Sequence, residues 1–250
     1  MLFLKPRILD FAITNYCNLS CPFCSQSTPI DKSRSFVALS ELAHYAAVFR
    51  RSHAGKTVSI SGGEPTLHPN FAELCLHLPI WFPRAARFDM VSNGSRLVAH
   101  RQLVIDIFDY VEVAHYVGRN DADVAAVEAA RMPNVEVRRK YEFKNLQDTR
   151  IYPNREKRFL HHRCLLTRSQ KVVGDRIYPC CAAYGVCLRR GIPVEHFSTV
   201  VSDGWEQRLD LIPLDDLCRR CHVDVSAQMG LMAIRVKLNE LRSRRKHKAS

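Results

Sequence analysis

Ten cysteines in a 250-residue chain are the first residues whose chemistry needs an explanation. Three of them, Cys17, Cys21 and Cys24, fall within eight residues. Three thiolates are one short of the four ligands that close a structural zinc site, and the nearest histidine in sequence is the distant His44. A cubane iron–sulfur cluster held by three thiolates instead keeps one iron open to a small molecule. Six further cysteines, Cys164, Cys180, Cys181, Cys187, Cys218 and Cys221, lie in the second half. Cys218-Arg219-Arg220-Cys221 spaces two sulfurs for one metal, and two more thiolates would complete a four-cysteine site. Spacing alone does not separate zinc from iron–sulfur there. Cys75, on the apolar side of a helical pattern, reads as a small buried hydrophobe.

These residues need a scaffold that brings loops together. The first half alternates short apolar runs with helical patterns, as repeated βα units around a parallel sheet do. Strands are expected at 8–14, 57–61, 88–92, 110–115 and 135–141. Helices are expected between them: one capped by Ser40, one opened by an Asn70–Glu73 capping box, one over 97–108 and one over 121–130. The fold expected is α/β, a partial TIM-like (β/α) barrel of about five to six parallel strands. Loops at the strand C-terminal ends then carry the function. The cysteine loop follows the first strand, Gly62-Gly63-Glu64-Pro65 the second, and Ser92-Asn93-Gly94 the third. After about residue 145 the texture changes to charged stretches around a hairpin candidate, Lys171–Val173 and Arg176–Tyr178, with Gly174-Asp175 as its turn. This divides the chain into a barrel domain, 1–145, and a small cysteine-rich domain, 146–250, with little periodic structure of its own.

Composition excludes several classes. With 46% hydrophobic residues the chain can build a core without disulfides. No segment approaches the roughly 18 apolar residues of a membrane span, and Lys5, Pro6 and Arg7 interrupt the start where a signal peptide would be apolar. A cytoplasmic protein without a membrane partner is expected, and in a reducing compartment the cysteines point to metal or redox chemistry. The net charge of +12 is confined to residues 131–250, which hold 25 of the 37 basic side chains. Solvated charge and a loose basic tail account for it without nucleic acid.

The loop Cys17-Asn18-Leu19-Ser20-Cys21-Pro22-Phe23-Cys24, followed about 40 residues later by Gly62-Gly63-Glu64-Pro65, resembles the radical S-adenosylmethionine superfamily. The resemblance implies that Cys17, Cys21 and Cys24 hold a 4Fe-4S cluster whose open iron binds S-adenosylmethionine, with Phe23 beside it. It implies that Gly62, Gly63, Glu64 and Pro65 receive the methionine amino group, the glycines giving close approach and Glu64 offsetting the ammonium. Ser92 and Asn93 would lie near the cofactor, His115 would meet its ribose, and Arg138, with Lys140, its carboxylate. The second half resembles the Twitch auxiliary-cluster module: a cysteine, a hairpin, another cysteine and a closing Cys-x-x-Cys. That implies a second 4Fe-4S cluster on Cys164, Cys180, Cys218 and Cys221, with Cys181 or Cys187 as possible substitutes in the set.

A reduced barrel with one auxiliary cluster resembles the dehydrogenases of the family that act on small metabolites. It implies two-electron oxidation of a sugar-like or aminocyclitol-like alcohol, with a flavodoxin or ferredoxin as reducing partner. A peptide maturase and a redox-neutral epimerase or rearrangement catalyst are alternatives within the class. A zinc protein that binds nucleic acid is the rival outside it, and it leaves the Gly-Gly-Glu-Pro turn unexplained.

Overall fold

The computed structural model describes residues 7–21, 24, 26–31, 33–140, 164 and 168–221. Five βα-type strands, β1 (Ile8–Thr14), β2 (Thr57–Gly62), β3 (Arg87–Ser92), β4 (Tyr110–His115) and β5 (Val135–Arg139), run parallel in the order β5-β4-β3-β2-β1. Helices α1 (Leu39–Val48), α2 (Phe71–Trp81), α3 (Arg101–Ile107) and α4 (Asp121–Ala130) lie between them. The alternation of each strand decides its two faces. Leu9, Phe11 and Ile13 of β1, Val58 and Ile60 of β2, Met90 of β3 and Val111 and Val113 of β4 enter the apolar core under the helices. Asp10, Ala12 and Thr14, in between, face the concave side.

The sheet does not stop at the fifth strand. β6 (Ser169–Val173) lies against the free edge of β1 in parallel, Asp10 opposite Lys171 and Phe11 opposite Val172. It is therefore a sixth barrel strand supplied by the second half of the chain. β6 turns at Gly174-Asp175 into antiparallel β7 (Arg176–Tyr178), as the sequence predicts, and β8 (Thr199–Val200) adds the eighth strand. The second half is more regular than its sequence texture suggests. It also contains α5 (Ala183–Arg190), α6 (Trp205–Asp210) and α7 (Leu214–Arg220). Trp205 packs edge-on to Phe49, 5.2 Å between ring centres, so this half shares the main core. A smaller core of Tyr178, Ala183, Val186, Cys187, Phe197 and Leu217 holds α5 and α7 to the hairpin.

Two helix starts differ from expectation. Helix α1 begins one residue before Ser40, with Ala38 as cap residue and the Glu41 carboxylate accepting its N–H at 2.7 Å. Asn70 precedes α2 without a side-chain cap bond. There the Asn70 N–H is taken by His68 Nδ1 at 3.1 Å, while His68 Nε2 reaches the Val37 carbonyl. The expected helix over 97–108 is a short 3-10 turn, Val98–His100, running into α3.

Lys171 explains why β6 was hard to recognise as a barrel strand. A lysine mid-strand reads as a solvent-facing position, yet this side chain is 2% exposed and paired with Asp10 at 3.2 Å. Its ammonium also donates to Ser61 Oγ and to Gln26 of the cysteine loop. One charge thus ties β6, β1, β2 and that loop together. Removing one partner of a buried pair leaves the other charge uncompensated. Lys171→Met is expected to lower stability by about 3–5 kcal/mol in urea denaturation, and adding Asp10→Asn to it should restore a measurable part of the loss.

Candidate functional site

The C-terminal ends of β1 to β4 converge on a cleft of about 470 Å³, partly open to solvent. Cys17, Cys21 and Cys24 line it with Gly62, Gly63, Ser92, Asn93, Ala114 and Tyr116. The cysteine loop is closed on itself: the Val37 N–H donates to the Ile13 carbonyl at 2.9 Å and Thr14 Oγ1 donates to the Ser35 carbonyl at 2.8 Å. Its first residues are then stitched to the turn after β2. The Gly63 N–H donates to the Thr14 carbonyl at 2.7 Å and the Glu64 N–H to the Tyr16 carbonyl at 2.8 Å.

This stitching is what requires the two glycines. A Cβ on Gly62, whose φ is +135°, would lie 2.1 Å from the Thr14 oxygen, and one on Gly63 would lie 2.0 Å from the Tyr16 oxygen. The close approach they permit is to the chain's own cysteine loop, a different partner from the ligand expected from sequence. Glu64 is revised in the same way. It has no exposed surface, and its carboxylate accepts from the Thr66 N–H and hydroxyl, the Ser92 hydroxyl and the Asn93 N–H at 2.6–3.1 Å. Its oxygens bind the end of β2 to the end of β3. Burial pushes this carboxyl up, and the four donors partly offset that. Pro65 opens the short 3-10 turn that Glu64 caps.

Asn93 carries the network onward to the thiols. Its Nδ2 lies 3.6 Å from Cys17 Sγ and donates to Asn18 Oδ1 at 2.9 Å. Asn120, buried in front of α4, holds the next wall by donating to the carbonyls of Asn93 and Ala114. Tyr116 is held by the Asn120 side chain through its N–H, and its phenol is pushed up mainly by burial, with Cys24, Cys21 and Cys17 adding to the effect. Sequence reasoning missed Asn120 and Tyr116. The asparagine ahead of Asp121 was a usable helix-start signal, whereas Tyr116 had none.

Two expected residues stand elsewhere. His115 alternates to the opposite face from Ala114 and Tyr116, and its Nε2 is 2.7 Å from Asp121 Oδ1. Arg138 is engaged by Glu136 at 2.9 Å and by Glu112 at 3.3 Å, beside Lys140, which also pairs with Glu112. Neither His115 nor Arg138 is part of the cleft wall. Phe23 lies outside the described residues.

The donors fit a cluster chemically. Among the described residues thiols are the sole ionisable ligand type in the wall besides the Tyr116 phenol, a soft set suited to iron–sulfur. Among the described residues no three such groups have drawn together to metal-ligand spacing. Burial pushes Cys17 up to about 11 and raises Cys21 as well, so loading a cluster must displace protons from them.

In the second half, Cys180 is strongly raised by burial, and Cys181, Cys221 and Cys218 act on it electrostatically. Cys187 is 1% exposed in the small core, with Glu195 and Arg176 as its charged neighbours. Cys180 and Cys221 pack against the same core, so burial does not separate Cys187 from the other cysteines of this half. Helix α5 joins this set to the first. Arg189 Nη1 donates to Ser27 Oγ at 3.0 Å, Tyr184 Oη donates to Asp31, and Arg190 Nε donates to the Arg220 carbonyl at 2.8 Å.

Three thiols and a glycine-braced turn hung from the mouth of a partial parallel barrel resemble the radical S-adenosylmethionine class, and comparison with known proteins points the same way over part of the chain. Residues 11–114 match the family model of the Radical SAM superfamily, so the chain carries a domain of that family, which implies a 4Fe-4S cluster and S-adenosylmethionine. Among curated proteins it is similar to GTP 3',8-cyclase of Vibrio cholerae, 30% identical over 96 residues, 37% of this chain and 28% of that protein. The mitochondrial GTP 3',8-cyclase of Arabidopsis thaliana is 31% identical over 72 residues, 28% of this chain and 18% of that protein. The chain thus spans less than a third of the length of these relatives. Among solved structures, BtrN in complex with AdoMet and 2-DOIA has a TM-score of 0.64 at 14% identity, covering 88% of this chain and 94% of BtrN. That likeness shows a shared fold.

The brace makes a sharp demand on Gly63. Gly63→Ala drives a methyl group into backbone that has no room to give, whereas Gly55, whose Cβ would meet nothing within 4 Å, bears only the strain of its positive φ. Gly63→Ala is expected to displace the cysteine loop and abolish iron uptake at that site, while Gly55→Ala loads iron normally and loses about 1 kcal/mol of stability; iron analysis and thermal unfolding measure both.

Proposed function

We propose that this chain is a radical S-adenosylmethionine oxidoreductase that oxidises an alcohol carbon of a small sugar-like or aminocyclitol-like metabolite to a carbonyl, removing in all two electrons and two protons. The observation that carries the proposal is the single cleft in which Cys17, Cys21 and Cys24 meet the ends of β2, β3 and β4. In this reading those three thiolates hold the first cluster. Gly62, Gly63, Ser92, Asn93 and Tyr116 form the wall against which the cofactor rests, and Cys180, Cys218, Cys221 and either Cys164 or Cys181 hold the second cluster.

When bound, these groups supply a 5'-deoxyadenosyl radical that takes a hydrogen atom from the substrate carbon, and an acceptor for the second electron as the carbon becomes a carbonyl and its hydroxyl proton leaves. The protein's own work is positioning. Glu64 fixes the β2 and β3 ends relative to each other, Asn93 fixes Cys17, and Asn120 fixes the β3 and β4 walls. Leu19, Val91 and Ala114 keep part of the cleft apolar, which favours exclusion of water from a reactive intermediate.

A second cleft, lined by Asn15, Gln26, Thr28, Glu41, Lys171 and Tyr184 among others, shares Gln26, Thr28 and Gly62 with the first. Asn15, Gln26, Thr28 and Glu41 give a hydroxylated substrate polar groups beside the cofactor in an otherwise mainly apolar lining. BtrN, with 2-DOIA bound in a chain that this fold covers almost entirely, supports a small-molecule substrate over a peptide. The cyclase similarity supports the cofactor chemistry, and a flavodoxin or ferredoxin would supply the electron.

Anaerobic reconstitution tests the proposal. The expected result is about eight irons per chain and deoxyadenosine formation under strong reductant. Cys17, Cys21 and Cys24 replaced together by Ala should leave about four irons and no cleavage. Stoichiometric zinc without cleavage would sink the reading, and a product at the substrate's own oxidation level would replace dehydrogenation by a redox-neutral reaction.

A further inference from the structure

Helix α5 ends in two consecutive arginines that reach in different directions. Arg189 donates to Ser27 Oγ, and the Ser27 N–H in turn donates to the Cys24 carbonyl at 3.2 Å, so one hydrogen-bonded residue separates the guanidinium from the last cysteine of the first set. Arg190 donates to the carbonyl of Arg220, the residue before Cys221. The helix starts just beyond Cys180 and Cys181, and the Ala183 N–H donates to the Cys180 carbonyl. Both cysteine sets are therefore fastened to one eight-residue helix.

The contact is close and rigid. Ser27 is fully buried in a left-handed conformation, φ +59°. Gly185 of α5 lies so near it that a Cβ would stand 2.5 Å from Ser27 Oγ and 2.9 Å from Arg189 Nη1. Tyr184, one residue earlier, pins the same loop through Asp31. Burial pulls Arg189 down to about 10, which leaves it charged at neutral pH; Cys221 and Cys24, one from each set, both act to hold its charge, and Arg190 acts against it. A guanidinium held in partly desolvated surroundings acts more strongly on nearby charge than one in water.

We propose that Arg189 is an electrostatic bridge between the two cysteine sets: its single fixed charge stabilises the more negative, reduced state of whatever cluster each set holds. Each one-electron reduction adds a negative charge, so a cation shared between the two sites favours reduction at both and couples them. Arg189 is here a positioning and tuning residue that touches no reacting atom. The inference rests on the two-cluster reading above.

The test is a redox titration of the reconstituted full chain followed by electron paramagnetic resonance, without S-adenosylmethionine or substrate. Arg189→Gln is expected to move the midpoint potentials of both iron–sulfur signals to more negative values. Arg189→Lys keeps the charge and should return both toward the parent. Ser27→Ala removes the hydrogen bond but not the charge and should shift them less than Arg189→Gln does. Two clusters whose potentials are unmoved in Arg189→Gln, or a shift confined to one of them, would overturn the bridge while leaving the two-cluster reading intact. Iron near four per chain in the parent protein would overturn that reading and the bridge with it.

Discussion

The cleft depends on one covalently trivial but sterically strict contact, the backbone of Thr14 to Tyr16 lying directly on the backbone of Gly62 to Glu64. Two short N–H to carbonyl bonds hold it, and two missing side chains allow it. Once that seam is closed, Cys17 is fixed to the end of β2. The buried Glu64 carboxylate then extends the seam sideways to β3, because Ser92 and Asn93 donate to it. A carboxylate in such a place is costly unless every oxygen is satisfied, and here four donors converge on it. Motif logic assigns the glycines and the glutamate to the cofactor, and the physical arrangement assigns them first to the loop that presents the cysteines.

The concave face below the cleft repeats the pattern with a charge. Lys171 spends its three hydrogens on Asp10, Ser61 and Gln26, which makes it an ammonium with no donor left for a ligand. It holds the cysteine loop from beneath as Glu64 holds it from the side. Asp10 Oδ1, buried and without a partner among the described residues, is the cost of that arrangement. Lys171 and Glu64 are thus both supports for the loop that carries the three thiols.

Much of this was legible in the sequence. The order and limits of β1 to β4 and of α4 follow from apolar spacing and turn residues, because local periodicity determines them. The cysteine loop and the Gly-Gly-Glu-Pro turn were legible as a pair because their chemistry needs residues at fixed spacing. What was not legible was long-range. β6 joins the sheet 155 positions after the end of β1, and its central lysine hides a barrel position behind a polar letter. His115 reads as a cofactor neighbour because it ends a strand, and Arg138 because it shares a face of the fifth strand with Lys140; in the structure the alternation of β4 turns His115 to Asp121, and Glu112 and Glu136 engage Arg138. Neither spacing nor packing separates Cys187 from its neighbours, since Cys180 and Cys221 pack against the same small core.

The basic excess of the second half has a structural account that composition could not supply. Its connections are irregular and expose carbonyls that no strand or helix satisfies. Arginine, with five donors in a fixed fork, answers that need where a carboxylate cannot. Arg208 alone donates to the carbonyls of Val200, Ser202 and Asp203 and to the hydroxyls of Thr199 and Ser202. Arg176 secures Ser198, and Arg190 secures the carbonyl before Cys221. These three cations, among the described residues, are turned toward the chain itself and hold its connections in shape. Arg189 follows the same logic with one difference: its acceptor belongs to the other cysteine loop, and a residue that began as a loop staple becomes the link between two sites.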